Sequence, residues 1–385
     1  MSQAVLGTTP APAAKPDKVE TPFRRFVSEF AESKVALFGL CVFTVIALVA
    51  ILAPFIAPQN PYDLAQLDIM DGRQEPGTTG GAGFTFWLGT DDQGRDMLSG
   101  IMYGLRISLM VGAGSAFIAC LVGGSLGLLA AYAGGRTDTV IMRLVDLQLS
   151  FPAILTALML IAFLGSARQV EMVFGESGLG TLVELAGLAL LAGWCFGRRG
   201  HFRPQVRPLA TFVGAIAALL LLALGLLVAT GTVWSFAFTF GGKSIWLVVF
   251  ALIIVEWSYY ARTVRGTALV ESRREYMEAA QCLALPTRRI LFRHLLPNCM
   301  PPLIVVGTMQ VARAIALEAT LSFLGLGVPI TEPSLGLLIA NGYEYMLSGK
   351  YWISFYPGIA LLVTIVSINL VGDQLRDVLN PRLRK

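Results

Sequence analysis

Charge is scarce in this chain. Only 14% of its 385 residues are Asp, Glu, Lys or Arg, where a soluble globular protein carries about 25%. That shortage excludes an ordinary solvated surface over much of the molecule. Histidine is nearly absent: His201 and His294 are the two present, which argues against haem or imidazole-based metal chemistry. The five cysteines (Cys41, Cys120, Cys195, Cys282, Cys299) are scattered, with no pair spacing for a metal or a disulfide framework. All but Cys282 lie in or beside an apolar run and read as small hydrophobes. No Ser–His–Asp, Cys–His or metal-ligand constellation appears, so no catalytic residue, cofactor site or metal site is expected. The net charge of +4 is small, and no nucleic-acid partner is expected.

What the chain has instead is apolar length. It is 55% hydrophobic, with a mean hydropathy of +0.68. A membrane-spanning helix needs about 20 mostly apolar residues. Eight runs qualify, near 35–57, 106–132, 139–165, 179–197, 208–230, 244–261, 300–325 and 353–373. Lys and Arg concentrate on cytoplasmic loops of such proteins. With the N-terminus inside, 22 of the 29 basic residues fall on inner segments and six on outer ones, Arg313 remaining within a span. Both termini are therefore expected in the cytoplasm. The first outer segment, 58–105, is instead acidic, with Asp63, Asp68, Asp71, Glu75, Asp91, Asp92 and Asp96.

Residues 1–20, rich in Ala, Pro, Thr and Lys, read as a disordered cytoplasmic tail. No secretory signal is evident: the first apolar run starts too late and runs too long for one. Residues 21–34 read as an interfacial helix. Pro22 suits its first position, and Phe23, Phe26, Val27 and Phe30 fall on one face. The basic loop RRGHFRPQVR joins the fourth and fifth runs. Removing that pair leaves the sidedness of everything downstream unchanged. The domain reading is then a core of 35–165 and 243–385, interrupted by an inserted helix pair at 166–242.

One polar, helix-prone stretch interrupts the second half: EYMEAAQCLALPTRRILFRHLLPN, residues 275–298. Glu278-Ala279-Ala280, the small Ala284, and Leu296-Pro297-Asn298 resemble the EAA loop of permease subunits of binding-protein-dependent ABC importers. FWLGTDDQGRDMLSGIMYGLRISLMVG (86–112) resembles the signature of the C-type permeases of dipeptide, oligopeptide and nickel importers. YARTVRG (260–266), RLVDLQLSFPAIL (143–155) and LEATLSFLGLGV (317–328) follow in the family's order.

The resemblance implies an all-α polytopic membrane protein with a six-helix permease core, enlarged here to eight spans, in the bacterial inner membrane. It implies a second, B-type permease, two ABC ATPase subunits that bind the ATP and Mg, and an extracytoplasmic substrate-binding protein. It makes 271–298 the ATPase-coupling loop, with Glu278, Ala279, Ala280, Ala284, Leu285, Pro286 and Thr287 as its site residues. Glu278 would make polar contacts with the ATPase; Ala279 and Ala280 would keep the docking face small. Peptides are the expected substrate, with a nickel chelate or another small solute as the alternative. The chain departs from the pattern at Ala284, where the family has glycine, a residue free to take positive φ. It also departs in the inserted pair and at Glu256, an ionisable group near the inner end of a span, expected to pair with Arg262 or to face a partner. Glu256, Arg313 and Glu318 are the intramembrane polar residues, and Arg313 a candidate to line the pathway. Two rivals remain at this level. An ion-driven secondary transporter predicts inverted repeats, which the chain does not show; a membrane scaffold predicts no ATPase partner.

Overall fold

The computed structural model describes residues 22–61, 63, 67–81, 83, 85–162, 245–328 and 334–379. The tail at 1–20, the runs at 179–197 and 208–230, and the insertion at 166–242 lie outside the described residues.

The described chain is almost wholly helical. Helix α1 (Pro22–Ala31) starts on Pro22, and Phe26 and Phe30 stack on one face. Ser33 caps the next helix, α2 (Lys34–Ile56), by accepting from the Ala36 N–H. A short hairpin follows, β1 (Thr78–Thr79) antiparallel to β2 (Thr85–Phe86). Helix α3 (Met97–Ala133) is the longest, at 37 residues. It ends at Gly134 and Gly135, both with positive φ, which turn the chain into α4 (Gly135–Ser150) and then α5 (Ala153–Ala162). Helix α6 is Ile245–Glu271 and α7 is Glu275–Cys282. A turn of helix at Thr287–Arg289 and a π-helical stretch at Ile290–Leu295 lead into α8 (Leu296–Phe323). Helices α9 (Leu335–Tyr343) and α10 (Trp352–Leu379) complete the described elements.

Six of the eight predicted runs fall at least partly on described residues. Five coincide with helices long and apolar enough to cross a membrane: α2, α3, α6, the continuous 290–323 stretch, and α10. The helices overrun the apolar runs. The 106–132 run sits inside a helix that begins at Met97, because Asp96 accepts from the Ser99 N–H at 2.8 Å and caps it there. The 244–261 run continues to Glu271.

The run expected to span at 139–165 is not one continuous helix. It is the bent pair α4 and α5, with 95° between them. Pro152 has no N–H to continue the ladder, and it holds Phe151 in extended backbone, φ −94 and ψ 142. Two charges of α4 also find partners on α6. Asp138 takes both Arg265 Nε and Nη2, the latter at 2.7 Å, and Asp146 pairs with Arg262.

Helices α3 and α6 form the most extensive pairing, and α8 packs across both and against α10. Two apolar clusters result. One joins α3, α5, α6 and α8 around Val111, Ala157, Leu252 and Leu321. The other joins α3 and α6 to the 271–298 loop around Tyr260, Val264, Met277, Leu291 and Leu295.

Candidate functional site

The 271–298 loop is a folded hairpin of helices with a fixed underside. Met277, Ala280, Ile290, Leu291 and Leu295 are buried against α3 and α6. Polar bonds brace the hairpin where it leaves the bundle. The Tyr276 hydroxyl donates to Glu271 Oε2 at 2.8 Å, Asn298 Nδ2 donates to the Tyr276 oxygen at 3.0 Å and to the His294 carbonyl at 2.8 Å. Burial, with the Glu271 carboxylate second, pushes the Tyr276 phenol above its ordinary range, so it stays protonated and donating. Arg274 closes on Glu271 at 3.0 Å. Tyr132, at the end of α3, reaches Thr287 Oγ1 at 3.4 Å.

The outer face of the hairpin is free. Glu278, Ala279, Ala284 and Pro286 are exposed, and Leu283 at the tip is 73% exposed. The expected site residues therefore divide. Glu278, Ala279 and Ala284 point outward. Ala280 packs inward, because it lies three residues from Met277 on the buried side of the helix, and Leu285 and Thr287 are half-buried. Of the two alanines expected to keep the face small, Ala279 is exposed and Ala280 is buried.

Ala284 is the left-handed residue of this turn, with φ +51. Its N–H bonds to the Gln281 carbonyl at 2.9 Å, and the Leu285 N–H returns to the Ala280 carbonyl at 3.2 Å. These are the paired bonds of a glycine-type helix C-cap. An L-residue in that conformation costs about 1–2 kcal/mol. Ala284→Gly is therefore expected to stabilise the hairpin by about 1 kcal/mol, after the added freedom of the unfolded chain is subtracted. Slower amide hydrogen exchange across 276–285 checks it; faster exchange refutes it.

The three intramembrane groups occupy different settings. Glu318 is fully buried and tied across the bundle. Ser108 of α3 donates to it at 2.9 Å and Ser322 at 2.7 Å, and Ser334, the cap of α9, also hydrogen-bonds to it. It is a brace between three helices. Glu256 is fully buried, with neither carboxylate oxygen hydrogen-bonded among the described residues. The expected Glu256–Arg262 pair does not form, because Asp146 of α4 takes Arg262. Arg313 is half-buried and lies over the Tyr259 ring, 4.4 Å from its centroid.

On the opposite side of the molecule, LGTDDQGRD folds into a compact cap over α3. Gln59 Oε1 accepts from the Asp96 N–H at 2.6 Å, and Thr90 Oγ1 from Gln74 N–H at 2.7 Å. Gly94 has φ +76, and a Cβ there would sit 2.1 Å from the Asp68 carbonyl oxygen, so only glycine closes this loop. Asp91 is buried. Its Oδ1 accepts from the Gln93 and Arg95 N–H groups, while Oδ2 has no partner among the described residues. Burial pushes this carboxyl up to about 6 from 3.8.

The sign follows from linkage. Between the unfolded and folded values the folded cap holds a proton that the unfolded chain has lost. Stability from Asp91 is therefore full below about pH 4 and is lost as pH rises through about 6. The loss is on the order of 3 kcal/mol at one pK unit per 1.36 kcal/mol. Asp91→Asn keeps the acceptor and drops the charge. The variant is expected to match the wild type at pH 4 and exceed it at pH 7, read as melting temperature of the purified protein. An equal difference at both pH values refutes it.

Among the described residues no group of three or more His, Cys, Asp or Glu side chains is placed to hold a metal ion.

Among the described residues, five helices long and apolar enough to cross a membrane fit a multi-pass membrane protein. Comparison with known proteins gives the family. The model described as "Binding-protein-dependent transport system inner membrane component" matches residues 123–385, and that for the "N-terminal TM domain of oligopeptide transport permease C" matches 21–76. The chain is 30% identical over 375 residues to the di/tripeptide transport system permease protein DppC of Pseudomonas aeruginosa, covering 97% of each chain. It is 29% identical over 366 residues to the dipeptide permease DppC of Haemophilus influenzae, covering 95% of this chain and 97% of that one. It is 28% identical over 356 residues to the oligopeptide permease OppC of Bacillus subtilis, covering 92% and 88%. This chain belongs to the family of inner membrane permease components of binding-protein-dependent ABC importers. The family is one of transport permeases and not of catalytic enzymes.

Proposed function

We propose that this chain is the C-type permease of a bacterial inner-membrane importer for di- and oligopeptides. It forms the translocation pathway with a B-type permease and docks two ATPase subunits, which bind the ATP and Mg. An extracytoplasmic binding protein delivers the substrate. The peptide class is supported by the relatives of like length, which are named as peptide permeases. The eight-span topology, with 166–242 as an inserted pair and both termini in the cytoplasm, is supported by the distribution of basic residues.

The observation that carries the coupling role is the division of the 271–298 hairpin. Its underside is locked to α3 and α6, while Glu278, Ala279 and Leu283 stand free. A hairpin locked on one side transmits force, and one free on the other accepts a partner. ATP binding closes the ATPase dimer, the hairpin moves with it, and the helix bundle shifts as a rigid body between inward- and outward-facing states. A photoreactive side chain at position 283 is expected to crosslink the ATPase subunit in membranes. The same group at Trp87, exposed on the outer cap, is expected not to. Equal capture at both positions, or none at 283, would sink this assignment.

A further inference from the structure

A cavity of about 530 Å³ opens between α4, α6, α8 and α10. Arg313, Gln310, Arg262, Thr263 and Asn369 bring polar groups to its wall. Cavities of about 300–1,000 Å³ accommodate small organic ligands. Arg313 lies in the apolar stretch of α8, where a charge costs about 2.5–3.5 kcal/mol unless it faces water or a partner. Its guanidinium carries five donors. Among the described residues it makes a ring contact with Tyr259 and is electrostatically coupled to Glu256, and it forms no hydrogen bond or ion pair. Its neighbour Arg262, by contrast, is neutralised by Asp146. The Tyr259 face holds the cation at the cavity wall, and its donors are unfilled among the described residues.

We propose that Arg313 binds the C-terminal carboxylate of a peptide in transit, with Gln310, Thr263 and Asn369 available to its amide groups. A guanidinium fork matches a carboxylate with two parallel bonds. The proposal rests on the peptide-importer reading above.

The whole importer, reconstituted in proteoliposomes with its binding protein, tests it. Uptake of a tripeptide with a free C-terminus is compared with that of its C-terminal amide, each at a concentration saturating the binding protein. Arg313→Gln is expected to lower uptake of the free acid at least tenfold and that of the amide less than threefold. Arg313→Lys, which keeps the charge and loses the fork, is expected to fall between. Equal loss of both substrates, as from a broken pair with a carboxylate of the other permease, overturns the proposal, as does no loss of either. If Arg313→Gln fails to assemble, the acid-to-amide ratio of Arg313→Lys decides: a fall supports the proposal, an unchanged ratio overturns it. A wild-type importer that takes up neither peptide refutes the peptide-importer reading instead.

Discussion

Glu278→Lys is expected to reduce uptake to below about a tenth of the wild-type rate while leaving the subunit in the membrane at its normal level. Glu278 is exposed on the outward side of α7, so the substitution buries nothing and opens no cavity. Exposed changes of this kind stay within about 0.5 kcal/mol of fold stability, and a cation near the start of a helix adds about 0.3–1 kcal/mol of cost. Reversing a charge at a docking surface is larger. Truncating one partner of a buried charge pair costs about 2–5 kcal/mol, and 2 kcal/mol is already about thirtyfold in affinity. The ATPase subunit should therefore fail to co-purify. Glu278→Gln, which keeps the shape and loses the charge, should fall between. Normal uptake by the lysine variant removes Glu278 from the coupling contact.

The second large effect is expected where two helices touch through their backbones. A Cβ added at Gly123 would lie 2.1 Å from the Trp257 carbonyl oxygen, and one at Gly127 would lie 2.3 Å from that of Ala261. The two glycines are four residues apart on α3, and their two partners are four apart on α6, so one stripe of α3 lies directly on α6. Small residues allow such approach in membranes, where packing drives association. Backbone cannot rotate aside as a side chain can. Gly123→Ala is expected to destabilise by about 1–3 kcal/mol, and Gly123→Ala with Gly127→Ala to abolish accumulation of the folded subunit. Gly114→Ala on the same helix has open space around its Cβ and serves as the control. Melting temperature in detergent and the amount recovered from membranes measure both. Equal tolerance at 114 and 123 contradicts the close contact.

Hydropathy located the five long apolar helices of the described residues because it reports what lipid requires, and it missed their ends because it reports nothing else. The turns of α3 between Met97 and Leu105 are helical owing to the Asp96 cap, not to an apolar run. Gly134 closes the helix by its conformation. The break at Pro152 was present in the sequence as the Phe-Pro step. It was overlooked because the flanking residues are apolar, although Asp138, Arg143 and Asp146 are too costly for a plain span.

Pairing was the least legible level. Arg262 and Arg265 could be read as cytoplasmic, yet their partners sit more than a hundred residues earlier on α4. The spacing of Asp138 and Asp146, eight residues and so one helix face, was the available signal. In the 271–298 hairpin Glu278 is exposed and Ala280 buried, a division the motif could not give, since a motif names residues without saying which way each one faces. Short α9 carried too few residues for a periodic pattern to register, and Tyr132 joins the hairpin through a contact 155 positions away.

Helix α3 is, finally, a single shaft. At about 1.5 Å per residue its 37 residues run about 55 Å, nearly twice the thickness of the hydrocarbon layer. Its upper end is clasped by the LGTDDQGRD cap through Asp96 and Ser99, and its lower end touches the hairpin through Tyr132 and Thr287. A push delivered at the lower end therefore reaches the upper end with no joint in which to be lost. The cap at one end of α3 and the hairpin at the other are therefore carried by one stiff element, and a displacement of either is felt by both.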